Sequence, residues 1–218
     1  MEENVPVLYP LTEKDSVKPI RNWGYLLWRD IYVSPVVENV TSMTVTFPKD
    51  DVWVDYWDHN VTYNGGTSVD YSVPLDRFPI FLRAGSMIPL HVHDSISVFG
   101  DERFSDFLTF YVAFPSKSGG YQQVRRWKSI SQEVWYTLED SKILEVTSSA
   151  SHYDLLFVFV GLDQVPQSVT ERREIQREVC IGSLVGSHDS GWTWVDNKLY
   201  LRLVPSHMNG HSVKVSFI

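Results

Sequence analysis

Apolar and polar residues alternate with a period of two along much of this chain. The segments 43–47, 199–203 and 213–217 each place apolar side chains on one face and polar or charged side chains on the other. This alternation is typical of β-strands that bury one face against a core. The pattern therefore predicts an all-β protein.

Two further segments are apolar on both faces. Residues 107–114 and 155–160 carry almost no polar side chain, which is typical of central strands that are covered on both sides. Turn residues separate the strands, notably at 64–66 and 195–197, and this spacing predicts sandwiches of short strands. The best helical candidate, residues 171–178, fits a solvated strand and loop equally well.

Composition and charge limit the classes of protein that fit. The 218 residues are 43% apolar and 21% charged, which is the composition of a globular chain with one large domain or two small ones. The net charge of −8 disfavours a nucleic-acid partner. The longest apolar run, residues 155–160, is too short to predict a membrane span. No signal peptide is recognisable, and the compartment stays open.

Several polar clusters are candidate sites. We interpret Asp50, Asp51, Asp55 and Asp58 as solvated loop and strand-end residues rather than as a catalytic pair. His91, His93 and Asp94 have the spacing of a metal pair without an identifiable third ligand, so no metal and no other cofactor are expected. The contiguous His188, Asp189 and Ser190 do not make a triad, because triads are spatial.

The single cysteine and two tryptophans are the remaining candidate functional residues. Cys180 excludes an internal disulfide, and we expect it to be a small buried apolar residue rather than a nucleophile. Trp192 and Trp194 are the candidate substrate-binding residues, because indole rings can stack on sugar rings. The competing interpretation is that both rings fill a sandwich core, since they lie on one face of a strand.

The segment Pro74–Leu90, PLDRFPIFLRAGSMIPL, is the most specific motif of the chain. It resembles the signature that follows the catalytic barrel in family 31 of the glycoside hydrolases, the α-glucosidase and α-xylosidase family. Residues 52–57 and 63–67 are similar to the hairpin before that signature, and residues 25–36 are similar to the last barrel strand and its exit. The order and spacing of these motifs agree with the family over residues 5–90.

The resemblance implies a fold, a domain organisation and a function. It implies two tandem antiparallel β-sandwiches after a remnant of a (β/α)₈ barrel end, with residues 1–34 as the remnant, 35–92 as the proximal sandwich and 93–218 as the distal one. Both catalytic aspartates of the family lie upstream, so no catalytic residue is expected here. The implied function is a non-catalytic C-terminal region that supports the catalytic barrel. The alternatives are a free-standing carbohydrate-binding or regulatory module, a complete hydrolase with a new site, and an interaction protein unrelated to sugars.

One consequence of the resemblance concerns residues 31–33. If they form a barrel strand, their pairing partners are absent and an unpaired edge results. We therefore expect residues 1–34 to be poorly packed in an isolated monomer, or to be covered by the catalytic barrel or another chain.

Overall fold

The computed structural model describes residues 8–10, 24–27, 30–91, 107–114, 123–128, 133–139, 143–151, 154–172, 174–186, 189–205 and 210–217. The chain divides into two compact units, which we call the first unit (Met1–Ser86) and the second unit (Met87–Ile218). Strands dominate both, so the predicted all-β class is confirmed. The predicted domain boundaries after residues 34 and 92 remain predictions.

The first unit consists of a six-stranded sheet and a two-stranded ribbon. The sheet is antiparallel, and its strands lie in the order β1 (Leu8–Pro10), β2 (Tyr25–Leu27), β3 (Ile31–Val33), β8 (Ile80–Arg83), β5 (Val52–Asp55) and β6 (Thr62–Asn64). The ribbon pairs β4 (Ser42–Thr46) with β7 (Ser68–Ser72). The alternating pattern at 43–47 corresponds to β4, with Val45 and Phe47 fully buried.

Aromatic rings form most of the core between this sheet and its ribbon. The Phe47 ring lies 4.6 Å from Tyr63 and 4.7 Å from Phe81 between ring centroids. Tyr32 lies 5.7 Å from Trp53, and its hydroxyl donates to the Thr46 carbonyl at 2.9 Å. Close edge and stacked contacts of this kind add to the free energy gained by burial alone. The buried hydroxyl finds an acceptor, as a polar group in a core requires.

The strand Ile31–Val33 is paired on both edges, so the expected unpaired edge at residues 31–33 is wrong. β3 lies between β2 and β8, with Tyr32 opposite both Leu26 and Phe81. Its three side chains are buried. The family resemblance implied a barrel strand whose pairing partners are absent. In the structure, β8 from the Pro74–Leu90 signature pairs with this strand within the same unit. The strand ends before Pro35, which cannot donate to a ladder.

Glycines make the turn at 64–66, as the sequence predicts. Gly66 has a φ of 76°, a backbone conformation that side chains with a Cβ rarely adopt. A Cβ on Gly65 would lie 2.5 Å from the Pro48 carbonyl oxygen and 2.7 Å from that of Asp51. The turn does not close a hairpin. It carries the chain from β6 in the sheet to β7 in the ribbon.

The second unit is a sandwich of a five-stranded and a six-stranded sheet. The first sheet has the order β17 (Gly191–Val195), β18 (Lys198–Leu203), β14 (Asp154–Val160), β10 (Phe107–Ala113) and β9 (Met87–His91). The other has the order β11 (Gln123–Lys128), β12 (Glu133–Glu139), β13 (Ile143–Ser148), β19 (Ser212–Ser216), β15 (Ser168–Glu171) and β16 (Glu174–Ile175). One short helix, α1 (Ile181–Gly186), precedes β17.

The core of the second unit lies between its two sheets. The two strands predicted to be central, β10 and β14, are inner strands of their sheet, and Leu155–Val160 is buried on both faces. These two strands are parallel, whereas the prediction had antiparallel sandwiches throughout. The chain between them forms β11, β12 and β13 of the opposite sheet, and it therefore returns to the first sheet in the same direction.

Local sequence explains the remaining connections of the second unit. Asp196 and Asn197 have φ values of 50° and 57°, which is the tight turn that joins β17 to β18. The ambiguous segment 171–178 contains β16 and coil, and both β16 residues are exposed. The helix α1 has no predicted counterpart. Within the described ranges, no helix has the length and hydrophobicity needed to cross a bilayer.

Candidate functional site

The acidic cluster of the first unit contains one buried carboxylate, which corrects the prediction that its members are solvated. Asp55 ends β5 and is 4% exposed. Its Oδ1 atom accepts hydrogen bonds from the backbone N–H groups of Trp57 at 2.7 Å and Asp58 at 3.1 Å. These two hydrogen bonds stabilise a turn of the backbone immediately after the strand. An alternating pattern alone cannot show this, because Asp at a strand end is usually solvated.

Two other acids of the cluster, Asp51 and Asp58, also have structural partners. Asp51 lies 3.2 Å from a terminal nitrogen of Arg83, and Asp30 lies 3.7 Å from its Nε. The same guanidinium lies over the Trp53 ring, 5.5 Å from the centroid. Asp58 accepts a hydrogen bond from the Asn60 backbone N–H at 3.1 Å. The carboxylates therefore fix turns and hold the arginine that covers the aromatic core.

Three tyrosines near Asp55 have raised pKa values. Burial raises the pKa of Tyr56 to about 12. Burial also raises the pKa of Tyr71, and the hydrogen bond from its hydroxyl to the Asp55 carboxylate raises it further. For Tyr63, burial raises the pKa, followed by the negative charges of Asp55 and Asp58. These phenols stay protonated at neutral pH, and the Tyr71 hydroxyl donates to Asp55.

This arrangement does not fit glycoside cleavage by the acids of the cluster. A retaining glycosidase needs one nucleophilic carboxylate and one acid/base carboxyl group that face a sugar about 5 Å apart. Asp55 is buried and already accepts hydrogen bonds, while Asp51 is paired with Arg83. The cluster is a structural element of the first unit.

The two candidate sugar-binding tryptophans differ in burial. Trp192 on β17 is 6% exposed, lies in the core of the second unit and donates its Nε1–H to the Gln176 carbonyl at 3.2 Å. A ring buried to this extent presents no face on which a sugar could stack. Trp194, two residues along the strand, is partly buried against the same core. A sugar contact at Trp194 remains a prediction.

The second unit also buries two polar pairs that the sequence pattern does not indicate. Arg202 on β18 is 3% exposed, donates to the Leu184 carbonyl at 2.8 Å and contacts Asp154 at 2.9 Å. His211 is 4% exposed, and its Nδ1 lies 2.6 Å from the Glu171 carboxylate. Both pairs join segments far apart in sequence, so only the folded chain brings their members together.

The remaining candidates are not assembled into a site. Cys180 is exposed, which corrects the expectation of a buried thiol, because it lies at the surface immediately before the short helix α1. A hydrogen bond with Ser183, at 3.1 Å between Sγ and Oγ, lowers the pKa of the Cys180 thiol. His93, Asp94 and His188 lie outside the described residues. Within the described part of the chain, no three metal-ligating side chains come together.

The signature segment forms a rigid corner with exposed apolar side chains, which we call the signature loop (residues 74–79). The Arg77 N–H donates to the Pro74 carbonyl at 3.2 Å, and the Trp57 Nε1–H donates to the Phe78 carbonyl at 2.7 Å. Asp76 and Arg77 lie 3.8 Å apart at the surface, which is too long for the predicted hydrogen bond. The loop is therefore fixed through its backbone, while Leu75 and Phe78 face outward.

A protein-family model matches most of the first unit. Residues 6–88 match the family model described as "Glycosyl hydrolase family 31 C-terminal domain". The chain is 30% identical over 102 residues to an alpha-glucosidase of Saccharolobus solfataricus, which covers 47% of this chain and 14% of that protein. It is 34% identical over 88 residues to a sulfoquinovosidase of Escherichia coli, which covers 39% of this chain and 13% of that protein. The chain thus spans about one seventh of these relatives.

Solved structures share the fold of more of the chain. A cycloalternan-forming enzyme from Listeria monocytogenes matches 88% of this chain with a TM-score of 0.71 and 20% identity, using 18% of its own length. A dextranase from Flavobacterium johnsoniae matches 88% with a TM-score of 0.68 and 16% identity, using 26% of its own length. The predicted resemblance to the C-terminal region of family 31 is confirmed.

Proposed function

We propose that this chain, whose residues 6–88 belong to the C-terminal domain of glycosyl hydrolase family 31, supports a catalytic domain of that family without contributing catalytic groups. The observations that carry the proposal are the match of residues 6–88 to that family model and alignments that cover only 13–14% of the relatives' length. The relatives' names describe hydrolysis of α-glucosides and of sulfoquinovosides by whole proteins. We assign hydrolysis of α-glycosidic bonds to the parent protein and not to the residues described here.

The polar chemistry of the first unit favours support over catalysis. Asp55 is used to turn the chain, and Asp51 is used to hold Arg83 against Trp53. The nearby phenols are held protonated by burial. Asp55 and Asp51 are therefore already engaged within the domain. A catalytic barrel, or another chain covering residues 1–34, is the partner that this role requires.

The burial of Trp192 weakens the alternative of a free-standing carbohydrate-binding module. Trp57 is also partly exposed, and its ring centroid lies 5.9 Å from the Arg77 guanidinium carbon and 6.4 Å from the Phe78 ring centroid. Titration of tryptophan fluorescence with maltose or a xyloglucan oligosaccharide tests this alternative. We expect no saturable change, and a saturable change that disappears in Trp194→Ala would favour the binding module.

A segment exchange tests the supporting role. In the Saccharolobus solfataricus alpha-glucosidase, the matched 102-residue segment would be replaced by the corresponding segment of this chain, or deleted. We expect the exchanged enzyme to fold and hydrolyse an aryl α-glucoside, and the deleted enzyme to lose activity. Equal loss in both would contradict the proposal. Turnover of the same substrate by the purified chain alone would contradict its non-catalytic part.

A further inference from the structure

The turn after β6 contains an Asn–Gly pair, the dipeptide in which asparagine deamidates most readily when the chain is flexible. The chain has two such pairs, Asn64–Gly65 and Asn209–Gly210. A glycine in the second position has no Cβ, so its backbone nitrogen can approach the asparagine side chain without steric hindrance. Asn64 is exposed at the end of β6. Both its sequence context and its accessibility therefore favour the reaction.

Deamidation at this pair is a reaction between the side chain of Asn64 and the backbone of Gly65. A base removes the amide proton of Gly65, and the nitrogen attacks the side-chain carbonyl carbon of Asn64. The new C–N bond closes a succinimide ring, the bond from that carbon to the side-chain nitrogen breaks, and ammonia leaves with a proton returned from the base. Water then opens the ring at either carbonyl, which leaves an aspartate or an isoaspartate. The reaction needs only a base and water.

The fold restrains the nitrogen that would attack. The Gly65 N–H donates to the Asp51 carbonyl at 2.6 Å, so a base removes its proton only after that hydrogen bond breaks. Asn64 also pairs with Val52 in the ladder between β6 and β5. Ring closure requires rotation about the Cα–C bond of Asn64, and this rotation would take the residue out of its extended strand conformation.

The rest of the turn is held by further hydrogen bonds. The Gly66 N–H donates to the Pro48 carbonyl at 3.2 Å, and the Thr67 hydroxyl donates to the Asn64 carbonyl at 2.7 Å. The space around Gly65 is as restricted, since a Cβ there would lie 2.5 Å from the Pro48 carbonyl oxygen. The nitrogen of Gly65 therefore reaches the Asn64 side chain only when the turn opens.

We propose that Asn64–Gly65 is a deamidation site that the folded first unit keeps unreactive and that local opening of β5 and β6 makes reactive. An isoaspartate lengthens the main chain by one methylene group, so the Gly65 N–H no longer lies in register with the Asp51 carbonyl. The product also adds a negative charge to a chain whose net charge is already −8. An opening that lasts long enough for the reaction is thereby made irreversible.

A comparison of the folded chain with a short peptide tests the proposal. The purified chain and a synthetic peptide of residues 58–70, which lacks β5, are incubated in the same mildly alkaline buffer. Mass spectrometry of the digested chain and of the peptide measures conversion at Asn64. We expect conversion in the folded chain to be slower by about tenfold or more, because the reaction proceeds only from the small open fraction. Equal rates, or no conversion in the peptide, would overturn the proposal.

Variants in the two units separate opening of this turn from general instability. Trp53→Phe removes the indole N–H that donates to the Pro48 carbonyl, and Trp53→Ala removes the ring as well. We expect conversion at Asn64 to become faster in that order, toward the rate of the peptide. Asp154→Ala, which breaks the buried ion pair of the second unit, should leave the rate unchanged. No acceleration in either Trp53 variant, or equal acceleration in Asp154→Ala, would contradict the local opening. Thermal unfolding verifies that each variant is folded at the incubation temperature.

Discussion

The two units bury their cores in different ways. The second unit fills its sandwich with aliphatic side chains and phenylalanine rings from both sheets, and its long strands alternate cleanly, as in Val134, Tyr136 and Leu138. The first unit has short strands and a smaller core, in which Tyr32, Phe47, Trp53 and Phe81 contact one another. A small core needs large rings and polar anchors to reach the same stability.

The two units also differ in their exposed apolar side chains and in how much of each matches the family model. Among the described residues, the grouped exposed apolar side chains lie in the first unit, which also carries most of the family match. The contrast is between a first unit that exposes apolar side chains in a group and a second unit whose described core lies between its own two sheets.

The largest expected effect comes from removing the central ring of the first unit. Trp53 is fully buried, contacts Tyr32 and Arg83, and donates to the Pro48 carbonyl. We expect Trp53→Ala to lower the free energy of unfolding by about 3–5 kcal/mol, because a cavity replaces these contacts. Chemical denaturation and hydrogen exchange of β5 and β8 measure it. Trp53→Phe should cost clearly less, and equal costs would show that the ring contacts do not set the stability of this core.

The buried ion pair of the second unit should have the next largest effect. Asp154→Ala leaves the Arg202 guanidinium buried beside the Leu184 carbonyl without its carboxylate. We expect a loss of about 3 kcal/mol, because an uncompensated buried charge is costly. The double variant Asp154→Leu with Arg202→Met should recover most of it in thermal unfolding. No recovery would mean that the pair contributes through specific bonds rather than by cancelling charge.

A pair of glycine substitutions compares the two units directly. Gly65→Ala places a Cβ against the backbone of Pro48 and Asp51, and we expect a loss of about 1–3 kcal/mol from the displaced turn. Gly182→Ala in α1 has open space within 4 Å, and alanine favours a helix over glycine by about 1 kcal/mol. Thermal unfolding should therefore shift in opposite directions. A shift in the same direction would contradict the close approach at Gly65.

The smallest expected effect is a pH dependence of the first unit. The folded-state pKa of Tyr71 is raised above its ordinary value near 10, so the folded chain holds this proton more tightly than the unfolded chain. The stabilisation is complete below pH 10 and is lost as the pH rises through the folded-state pKa. Tyr56, with a pKa of about 12, behaves likewise. Tyr71→Phe should make the loss of stability above pH 10 shallower, and an unchanged slope in alkaline denaturation would refute the role of Tyr71.

Much of the fold could be predicted because strand signals are local. The alternation at 43–47, the apolar segment 155–160 and the Asp196–Asn197 turn each depend on neighbours within a few residues, and each is confirmed. The parallel pairing of β10 with β14 could not be predicted, since it depends on a crossing between sheets. The exposure of Cys180 depends on the short surface helix that follows it, for which the sequence carries no clear pattern.

For the site, the sequence by itself predicted the resemblance to family 31 and, from that resemblance, that no catalytic residue lies in this segment. The signature at 74–90 is a contiguous motif, and such a motif can be recognised from the sequence alone. Only the tertiary structure decided which side chains are buried: Asp55 and Trp192 lie inside, while Leu75 and Phe78 lie outside. Burial depends on strands that are distant in sequence, such as β8 beside β3. The groove between residues 36–40 and 73–78 is visible only once these two segments stand side by side.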